Sequence, residues 1–321
     1  MIDLHMHTIC SDGTDSPEEL AAKVVAAGLS AAALTDHDTT EGHSAYGAYL
    51  EAHGVEFVPG VEISCRYEET GQSAHVLCYF VEEGTSPLQE ALVQLRADRA
   101  KRNIDLFRLL HEMGYAKLDR ARIEELAKKP LEEAGRPHIA QALFEAYPDG
   151  SETEVPEGLP QGFQDTNHVF SALLGNDKPA YVPKANLTIG SAAELAAQSG
   201  AVAVIAHPII TFCSSKETGM MPLEEQRTHL DQILGDLAQR GVVGAEAYYS
   251  RHSPEQVAMM LDLCEKHGLV PTGGSDFHGE NKKDLSVGIG MTEHKGSASQ
   301  LRVPESSLEL LKARRSPVSS S

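Results

Sequence analysis

Seven short apolar runs recur along the chain, and they constrain its fold more than any other feature. They are rich in Val, Ile, Leu and Ala, a composition typical of strands buried in a parallel sheet. In chain order the runs are MIDLHMH, SAAALTDHD, VEFVPGVEIS, AHVLCYFV, AVAVIAHP, VVGAEAYYS and LVPTGGSDFH. Amphipathic stretches separate many of them, so the sequence predicts an α/β fold in which strands and helices alternate.

Capping boxes mark where several of the helices begin, because a Ser is followed three residues later by Glu or Gln. Most of them also place Pro at the first helical position. The serines are Ser16, Ser86, Ser191 and Ser253. A helix is therefore expected to start directly after each of them.

One long segment interrupts the alternation of strands and helices. Between Ser86 and Pro183 the strand pattern is missing, and a long helical pattern from Pro87 to Met113 leads into shorter helical stretches. The sequence therefore predicts a discontinuous barrel of residues 1–85 and 184–292, with a helical insertion subdomain at residues 86–183. Residues 293–321 are expected to form a peripheral segment and a tail.

Polar side chains gather where the apolar runs end. In a parallel α/β barrel the carboxyl ends of the strands meet at one rim, which is where such enzymes form their sites. One member, His75, lies instead near the start of its run. The full set is His5, His7, Asp12, Asp36, His37, Asp38, Glu62, His75, His207, Glu246, Asp276 and His278.

This set of side chains has the composition of a metal site. His5 and His7 are two residues apart on a strand and point to the same face, where they can chelate one ion. A single buried histidine is more often a hydrogen-bonded core residue, but so many imidazoles and carboxylates would desolvate or repel one another unless cations held them. Nitrogen and oxygen ligands without thiolate suit manganese, zinc or iron. Since a closed site uses about four protein ligands, the set indicates two or three divalent ions.

Charge and composition limit the partners of the protein. The net charge of −20 disfavours long nucleic acid, whose phosphates are held chiefly by Lys and Arg. The chain contains no apolar stretch that approaches the length of a membrane span, and its first residues lack the layout of a secretion signal. Its 5 cysteines contain no CxxC pair and do not match a disulfide framework. We therefore expect a cytoplasmic protein without a membrane partner, and the oligomeric state stays open.

The ordered motifs at the strand ends carry a resemblance to a known family. The motifs are DLHMHTICSDG, LTDHDT, PGVEIS, AHVL, AHP and GSDFH. They resemble those of the PHP (polymerase and histidinol phosphatase) phosphoesterases, and most closely the nucleotide-directed branch that includes 3′,5′-nucleoside bisphosphate phosphatases. The resemblance runs from Met1 to Met291. It implies a distorted (β/α)7 barrel of the PHP type with a trinuclear metal site.

The same resemblance implies which residues hold each ion. The first ion would be held by His5, His7, Glu62 and Asp276. The second would share Glu62 and add His75 and His207. The third would be held by Asp12, His37 and His278. Some branches of the family have histidine where this chain has Asp12, which leaves the identity of the metal open.

The resemblance also implies contacts to the substrate from the insertion. The stretches GRPHIA and GNDKPAYVPK contain Arg136, His138, Lys178 and Lys184, and in related chains such residues hold the substrate phosphate. The planar guanidinium of arginine is well shaped for that role. A structural alternative for Arg136 and His138 is a helix start after a Gly-Arg-Pro turn.

The remaining carboxylates of the set are expected to act around the ligands. Asp36 and Asp38 would orient His37 or its neighbours, because carboxylates are common partners of metal-bound imidazoles. Glu246 would touch the substrate or a metal-bound water.

The expected reaction is hydrolysis of a phosphate monoester on a small nucleotide, either a 3′,5′-nucleoside bisphosphate or a 5′-mononucleotide. The nucleophile would be a metal-activated hydroxide, without a protein nucleophile. Three alternatives are kept: a phosphodiesterase or exonuclease acting on short oligonucleotides or cyclic phosphates, a histidinol phosphate phosphatase, and a metal-binding PHP module without catalysis. The helical insertion with GRPHIA favours the nucleotide branch over histidinol phosphate, and the complete ligand set argues against a non-catalytic module.

Overall fold

The computed structural model describes residues 1–150, 154–175, 178–183, 186–215, 219–288, 290–291 and 302–315. The chain divides into two compact units, one of Met1–Leu92 with Asn186–Ser321 and one of Val93–Ala185. The first division falls inside a helix, Pro87–Glu112. The predicted insertion begins earlier, at residue 86, because the sequence marks where the helix starts and not where the packing of the second unit starts.

The elements follow one another along both units. The strands are β1 (Ile2–Asp3), β2 (Ala31–Leu34), β3 (Glu56–Arg66), β4 (Ser73–Tyr79), β5 (Leu187–Thr188), β6 (Val202–Ile205), β7 (Ser214–Ser215), β8 (Gly219–Met220), β9 (Gly244–Tyr249), β10 (Val270–Gly274), β11 (Leu285–Ser286) and β12 (Gly290–Met291). The helices are α1 (Pro17–Ala26), α2 (His43–Ala52), α3 (Pro87–Glu112), α4 (Arg120–Ala127), α5 (Arg136–Ala146), α6 (Thr166–Val169), α7 (Ile189–Gln198), α8 (Pro208–Cys213), α9 (Leu223–Gln239), α10 (Pro254–His267) and α11 (Glu305–Lys312). Short 3-10 turns lie at Leu131–Glu133 and Gly279–Lys282, and a π-helical turn at Phe170–Leu174.

The main sheet of the first unit curves into a barrel. Its strand order is β1-β2-β3-β4-β6-β9-β10, and β5 pairs with the end of β3. Leu4, directly after β1, donates its N–H to the carbonyl of Gly273 in β10 at 3.2 Å, which joins the two ends of the sheet. These strands correspond to the seven apolar runs, and the predicted α/β barrel is confirmed.

Strand β4 departs from the parallel arrangement that the apolar runs predict. It runs antiparallel to both β3 and β6. Only residues 67–72 connect it to β3, and a parallel crossover needs a dozen residues or more. The reversal brings the start of β4 beside the end of β3, where His75 pairs in register with Ser64. His75 therefore reaches the rim although it lies near the start of its run.

Most of the predicted helix starts are observed. Ser16 and Ser253 form complete capping boxes at α1 and α10, and the hydroxyl of Ser86 accepts the N–H of Gln89 at 3.2 Å. The prediction at Ser191 is wrong, because α7 begins at Ile189. Its N-cap is Thr188, whose hydroxyl accepts the N–H of Ser191 at 3.2 Å.

The last described helix is part of the barrel core. Side chains from several strands, among them Ile2, Val58 and Leu77, pack with Leu308 and Leu311 of α11. Both leucines are buried, at 2 % and 0 % exposure. An exposed ion pair between the N-terminal amine and Glu305 adds little to this packing. Helix α11 of the predicted peripheral segment is thus held by apolar contacts.

The second unit packs around a core of its own. Leu110, Tyr115, Ile139 and Phe163 are among its fully buried side chains. Asn103, also buried, donates its amide to the carbonyls of the loop that precedes α5. Across the described ranges of both units, no helix combines the length and the apolar character that crossing a membrane requires.

Candidate metal centre

The centre of the rim is formed by two histidines that follow β1. Nε2 of His5 and Nε2 of His7 are 3.1 Å apart, and both side chains are fully buried. Oε2 of Glu62 lies 3.2 Å from the first nitrogen and 3.1 Å from the second. Oδ1 of Asp276 lies 3.5 Å from each. Four potential ligand atoms therefore converge on one point.

Glu62 presents its two oxygens to different imidazoles. It lies in β3, where it pairs in register with Leu77 of β4. Oε1 lies 3.0 Å from Nδ1 of His75 and 3.3 Å from Nε2 of His207. Oε2 lies 3.3 Å from Nδ1 of His37 as well as close to the central pair. The carboxylate is therefore placed to bridge two ions, since each of its oxygens faces a separate set of ring nitrogens.

Asp12 collects a further group of imidazoles on the other side of His7. Its Oδ1 lies 3.3 Å from Nε2 of His278 and 3.6 Å from Nδ1 of His7. Its Oδ2 lies 3.8 Å from Nε2 of His37. The loop between β1 and α1, which carries Asp12, thereby meets the loop after β10, which carries His278.

The donor atoms form groups that fit divalent ions. Each group contains only imidazole nitrogens and carboxylate oxygens, within 4.8 Å of one another. The groups are His7, Asp12, His37 and His278; His5, His7 and Asp276; and His37, Glu62 and His75. Among the described side chains, Nδ1 of His37 is one of the buried polar atoms without a hydrogen bond. Metals that accept nitrogen and oxygen ligands would satisfy these atoms.

The structure brings together all nine residues that the resemblance implied as ligands, and it refines how they group. His7 faces the Asp12 group as well as His5, and His37 faces both Asp12 and Glu62. His207 approaches the Glu62 group from the start of α8. A single residue can thus stand between two groups, which is compatible with closely spaced ions.

The surroundings lower the pKa of two rim carboxylates, Asp12 and Glu62. Burial alone would raise the pKa of Asp12, but His37 and His278 outweigh it and hold the pKa well below its usual value. Burial would likewise raise the pKa of Glu62, which His37, His5 and His75 hold well below its ordinary range. Both groups are therefore available as anionic ligands.

The two central imidazoles are driven in opposite directions. Burial and the neighbouring His278 lower the pKa of His7 to about 3. Burial would also lower the pKa of His5, but the carboxylates of Glu246 and Glu62 outweigh it and raise the pKa well above its usual value. Opposite shifts in two imidazoles whose facing nitrogens are 3.1 Å apart are typical of functional sites.

Backbone strain accompanies the rim residues. Asp38, His207 and Asp276 have φ of 55°, 30° and 55°, in the left-handed region that side chains with a Cβ avoid. Two of the three are predicted ligands. Such strain persists only where the surrounding contacts enforce it and is concentrated at functional sites.

Asp36 and Asp38 hold the backbone around the ligands. Asp36 accepts the N–H of Thr8 at 2.8 Å, the hydroxyl of Thr8 at 2.6 Å and that of Ser11 at 2.5 Å. Its described contacts therefore fix the loop that carries Asp12, and the predicted orientation of His37 or its neighbours by Asp36 stays a prediction. Asp38 accepts the N–H of Ser64 at 3.1 Å, two residues beyond Glu62.

Three side chains contact the ligands in ways that the sequence did not predict. The hydroxyl of Tyr249 donates to Oδ2 of Asp276 at 2.7 Å, and Nζ of Lys282 lies 2.5 Å from the same oxygen. Glu246 is fully buried and contacts His5, and its predicted contact with the substrate or a metal-bound water stays a prediction. Tyr249 ends the sixth apolar run, the kind of position that could have identified it, but Lys282 carries no such signal.

The predicted phosphate contacts lie in the second unit. Arg136 donates to the carbonyl of Leu174, and its guanidinium lies 5.4 Å from the centre of the Phe170 ring. Burial lowers its pKa. Nδ1 of His138 accepts the N–H of Gly135 at 3.2 Å, which caps the start of α5. Lys178 is exposed, and Lys184 lies outside the described residues.

Comparison with known proteins places the chain among phosphoesterases. The family model described as the PHP domain matches residues 3–202. A phosphoribosyl 1,2-cyclic phosphate 1,2-diphosphodiesterase of Eggerthella lenta is 29 % identical over 89 % of this chain and 97 % of its own length. A 3′,5′-nucleoside bisphosphate phosphatase of Chromobacterium violaceum is 27 % identical over 88 % of this chain and 90 % of its own. A 5′-3′ exoribonuclease of Haemophilus influenzae is 28 % identical, with coverage of 86 % and 89 %.

Solved structures share the fold along the whole chain. A protein from Bifidobacterium adolescentis, described as a metal-dependent phosphoesterase, superposes with a TM-score of 0.71 at 23 % identity and covers 99 % of this chain and 97 % of its own. An amidohydrolase from Chromobacterium violaceum with bound sulfate and no metal has a TM-score of 0.67 at 26 % identity, covering 99 % and 98 %. The relatives agree on hydrolysis of phosphoric esters and differ in the ester that they cleave.

Proposed function

Because the chain belongs to the PHP domain family and is a metal-dependent phosphoric ester hydrolase, we propose that it hydrolyses phosphate monoesters of small nucleotides. A 3′,5′-nucleoside bisphosphate or a 5′-mononucleotide is the substrate that we favour. The observation that carries the proposal is the convergence at the rim, where facing ring nitrogens of His5 and His7 meet the carboxylates of Glu62 and Asp276.

The rim residues would hold two or three divalent ions, of manganese, zinc or iron. The proposed ligands of the first are His5, His7, Glu62 and Asp276; of the second, Glu62, His75 and His207; and of the third, Asp12, His37 and His278. Bound ions of this kind lower the pKa of coordinated water and neutralise charge on phosphate oxygens. The ionised carboxylates and the loop held by Asp36 keep the ligand atoms in place for them.

The phosphate of the substrate would also contact Arg136, His138, Lys178 and Lys184. Arg136 uses one N–H for the carbonyl of Leu174, and a guanidinium has five N–H donors in a planar fork. The remaining donors would bind the phosphate. A small substrate also agrees with the net charge of −20, which opposes the approach of long nucleic acid.

Cleavage of phosphodiesters is the second candidate. The relatives from Eggerthella lenta and Haemophilus influenzae, named as a cyclic phosphate diphosphodiesterase and an exoribonuclease, are as similar in sequence as the bisphosphate phosphatase. A short oligonucleotide or a cyclic phosphate needs only the rim, so the charge of the remaining surface does not exclude it.

A phosphate-release screen of metal-reconstituted protein separates these candidates. The panel contains adenosine 3′,5′-bisphosphate, AMP, cyclic nucleotides, dinucleotides and histidinol phosphate, each measured with manganese, zinc and iron. We expect phosphate release from the nucleotide monoesters. Release from histidinol phosphate alone would contradict the nucleotide proposal, and cleavage of diesters alone would favour the second candidate. Metal-loaded protein that acts on none of these compounds would indicate a non-catalytic module.

A further inference from the structure

Glu246 in β9 contacts two different proposed ligands through its two oxygens. Oε1 lies 3.0 Å from Nδ1 of His5. Oε2 accepts the backbone N–H of His207 at 2.7 Å. The side chain is 0 % exposed, so a substrate cannot reach it. Glu246 therefore acts through His5 and His207.

The contact with His5 decides which ring nitrogen carries the proton. The oxygens of a carboxylate accept hydrogen bonds, so the contact of Oε1 favours the tautomer in which Nδ1 of His5 is the donor. Nε2, which faces His7, Glu62 and Asp276, is then the nitrogen that can offer a lone pair to an ion. Hydrogen bonds from the second nitrogen of a ligating histidine fix its tautomer and its orientation in this way.

The contact with His207 acts on the backbone. His207 has φ 30° and ψ 55°, a left-handed conformation that a residue with a Cβ avoids. The bond from its N–H to the carboxylate is charge-assisted and so stronger than one to a neutral acceptor. It stabilises the conformation in which Nε2 of His207 lies 3.3 Å from Oε1 of Glu62.

Given the proposed function, on which this step rests, we propose that Glu246 is a positioning residue. It orients ligands of two ion positions at once. It acts on the first position through the tautomer of His5 and on the second through the backbone of His207. Because one carboxylate serves both, a change at Glu246 weakens ligands of two ions although it touches neither ion.

The variant Glu246→Gln tests this inference with little change in shape. The N–H of His207 still needs an acceptor, so the amide oxygen stays on that side and the amide nitrogen faces His5. That nitrogen donates to Nδ1, and the imidazole proton moves to Nε2, where it blocks the ligand atom. We expect metal affinity to fall about 10- to 100-fold, the range for partners of ligating histidines. Titration calorimetry with zinc and metal content after dialysis measure it.

Glu68→Gln is the matched control, since it removes one carboxylate charge from the same unit. Glu68 accepts the backbone N–H of Gly190 at 2.7 Å, as Glu246 accepts that of His207, but its described contacts include no imidazole. This variant should bind zinc like the wild type. Wild-type affinity in Glu246→Gln would overturn the inference and leave the proposed function intact, whereas a wild-type protein that binds no ion would refute the proposed function itself.

The zinc-loaded wild-type protein provides a second measurement that does not depend on a stable variant. Long-range proton–nitrogen correlation spectra of histidine-labelled protein distinguish the protonated from the metal-bound ring nitrogen. We expect Nδ1 of His5 to carry the proton and Nε2 to be the bound nitrogen. A spectrum in which Nδ1 of His5 lacks the proton would contradict the inference, and a purely structural role for Glu246 would not fix this signature.

Discussion

The barrel rim and the helical unit treat their polar side chains in opposite ways. At the rim, Nε2 of His5 and Nε2 of His7 face each other at 3.1 Å with carboxylate oxygens around them. In the helical unit, Arg136 donates to the Leu174 carbonyl and Asn103 donates to the carbonyls of Leu131 and Ala134. The rim groups thus gather atoms that favour a cation, whereas the amide of Asn103 is satisfied within its own unit and Arg136 gives one of its five N–H donors to its own unit.

This difference shows that polar side chains indicate a functional site where several of them converge. The rim groups come from many separate strand ends, so each of them alone resembles an ordinary polar residue. Only their convergence makes the cluster costly without cations, because buried charges need partners. Asn103, by contrast, is neutral, and the carbonyls of Leu131 and Ala134 accept its amide N–H groups without any need for an ion.

Glu62→Gln is expected to have the largest effect, because it removes the charge that stands between two groups of imidazoles. Metal content should fall, and kcat/KM should fall by more than about 100-fold, beyond the range for residues that only support a ligand. Glu68→Gln, just after the same strand, is the control and should keep both. Full metal content and a full rate in Glu62→Gln would contradict the proposed metal centre at the rim.

Arg136→Lys is expected to have the next largest effect. It tests whether Arg136 binds the substrate phosphate or only packs within the second unit. Lysine keeps the charge but loses the planar fork, so the proposed phosphate contact should weaken. A hydrogen bond to a charged group contributes about 1.5–3 kcal/mol, which corresponds to a KM roughly 10- to 100-fold higher. Steady-state kinetics with adenosine 3′,5′-bisphosphate measure it. An unchanged KM would leave Arg136 with a packing role alone, and metal content should not change in either case.

The sequence predicts the barrel and the convergence of the proposed ligands better than it predicts the contacts around them. Strand ends carry His5, His7 and Asp276 in recognisable motifs, because a metal ligand has to be a specific residue type at a specific place. The antiparallel course of β4 follows from a short connection whose length becomes evident only when the strand bounds are known.

The roles of Asp36 and Glu246 could not be derived from the sequence for a different reason. Both are carboxylates beside ligands in the sequence or at a strand end, and each could equally face an imidazole, a backbone N–H or solvent. Asp36 holds the loop of Thr8, and Glu246 holds a residue 39 positions away. Contacts over such separations depend on tertiary packing and leave no local pattern.

Asn103→Ala should lower stability without affecting the rim. The amide of Asn103 is fully buried, and its removal leaves the Leu131 and Ala134 carbonyls, now 2.9 and 2.8 Å from it, without their donor. Unsatisfied buried groups cost about 1–3 kcal/mol. Urea unfolding should show this loss, while zinc content stays at the wild-type level. If Asn103→Ala lost zinc as well as stability, this would contradict the expectation that Asn103 does not affect the rim.

His43 offers the smallest expected effect and extends the comparison to a histidine away from the rim. It is 2 % exposed, and its Nε2 lies 2.7 Å from the carbonyl of Gly60. Burial lowers its pKa, and this outweighs the opposing effect of the Gly60 carbonyl. The folded state therefore keeps His43 neutral at a pH where the unfolded chain binds a proton, so stability falls as pH drops below about 6.5 and does not depend on His43 above it.

His43→Gln removes this titration while its amide can still donate to Gly60. Between pH 7.5 and pH 5.5 the wild type should therefore lose more stability than the variant. The excess is at most about 1.4 kcal/mol, the value of one pKa unit, because pH 5.5 lies about one unit below the pKa of the unfolded chain. Urea unfolding of chelator-treated protein at both pH values measures the difference. The pH dependence that comes from the rim residues is common to both proteins and cancels when they are compared. His53→Gln, at an exposed histidine, is the control and should follow the wild type. If the stability difference between wild type and His43→Gln is the same at both pH values, the prediction is wrong. Burial of His43 then does not make the stability of the protein depend on pH.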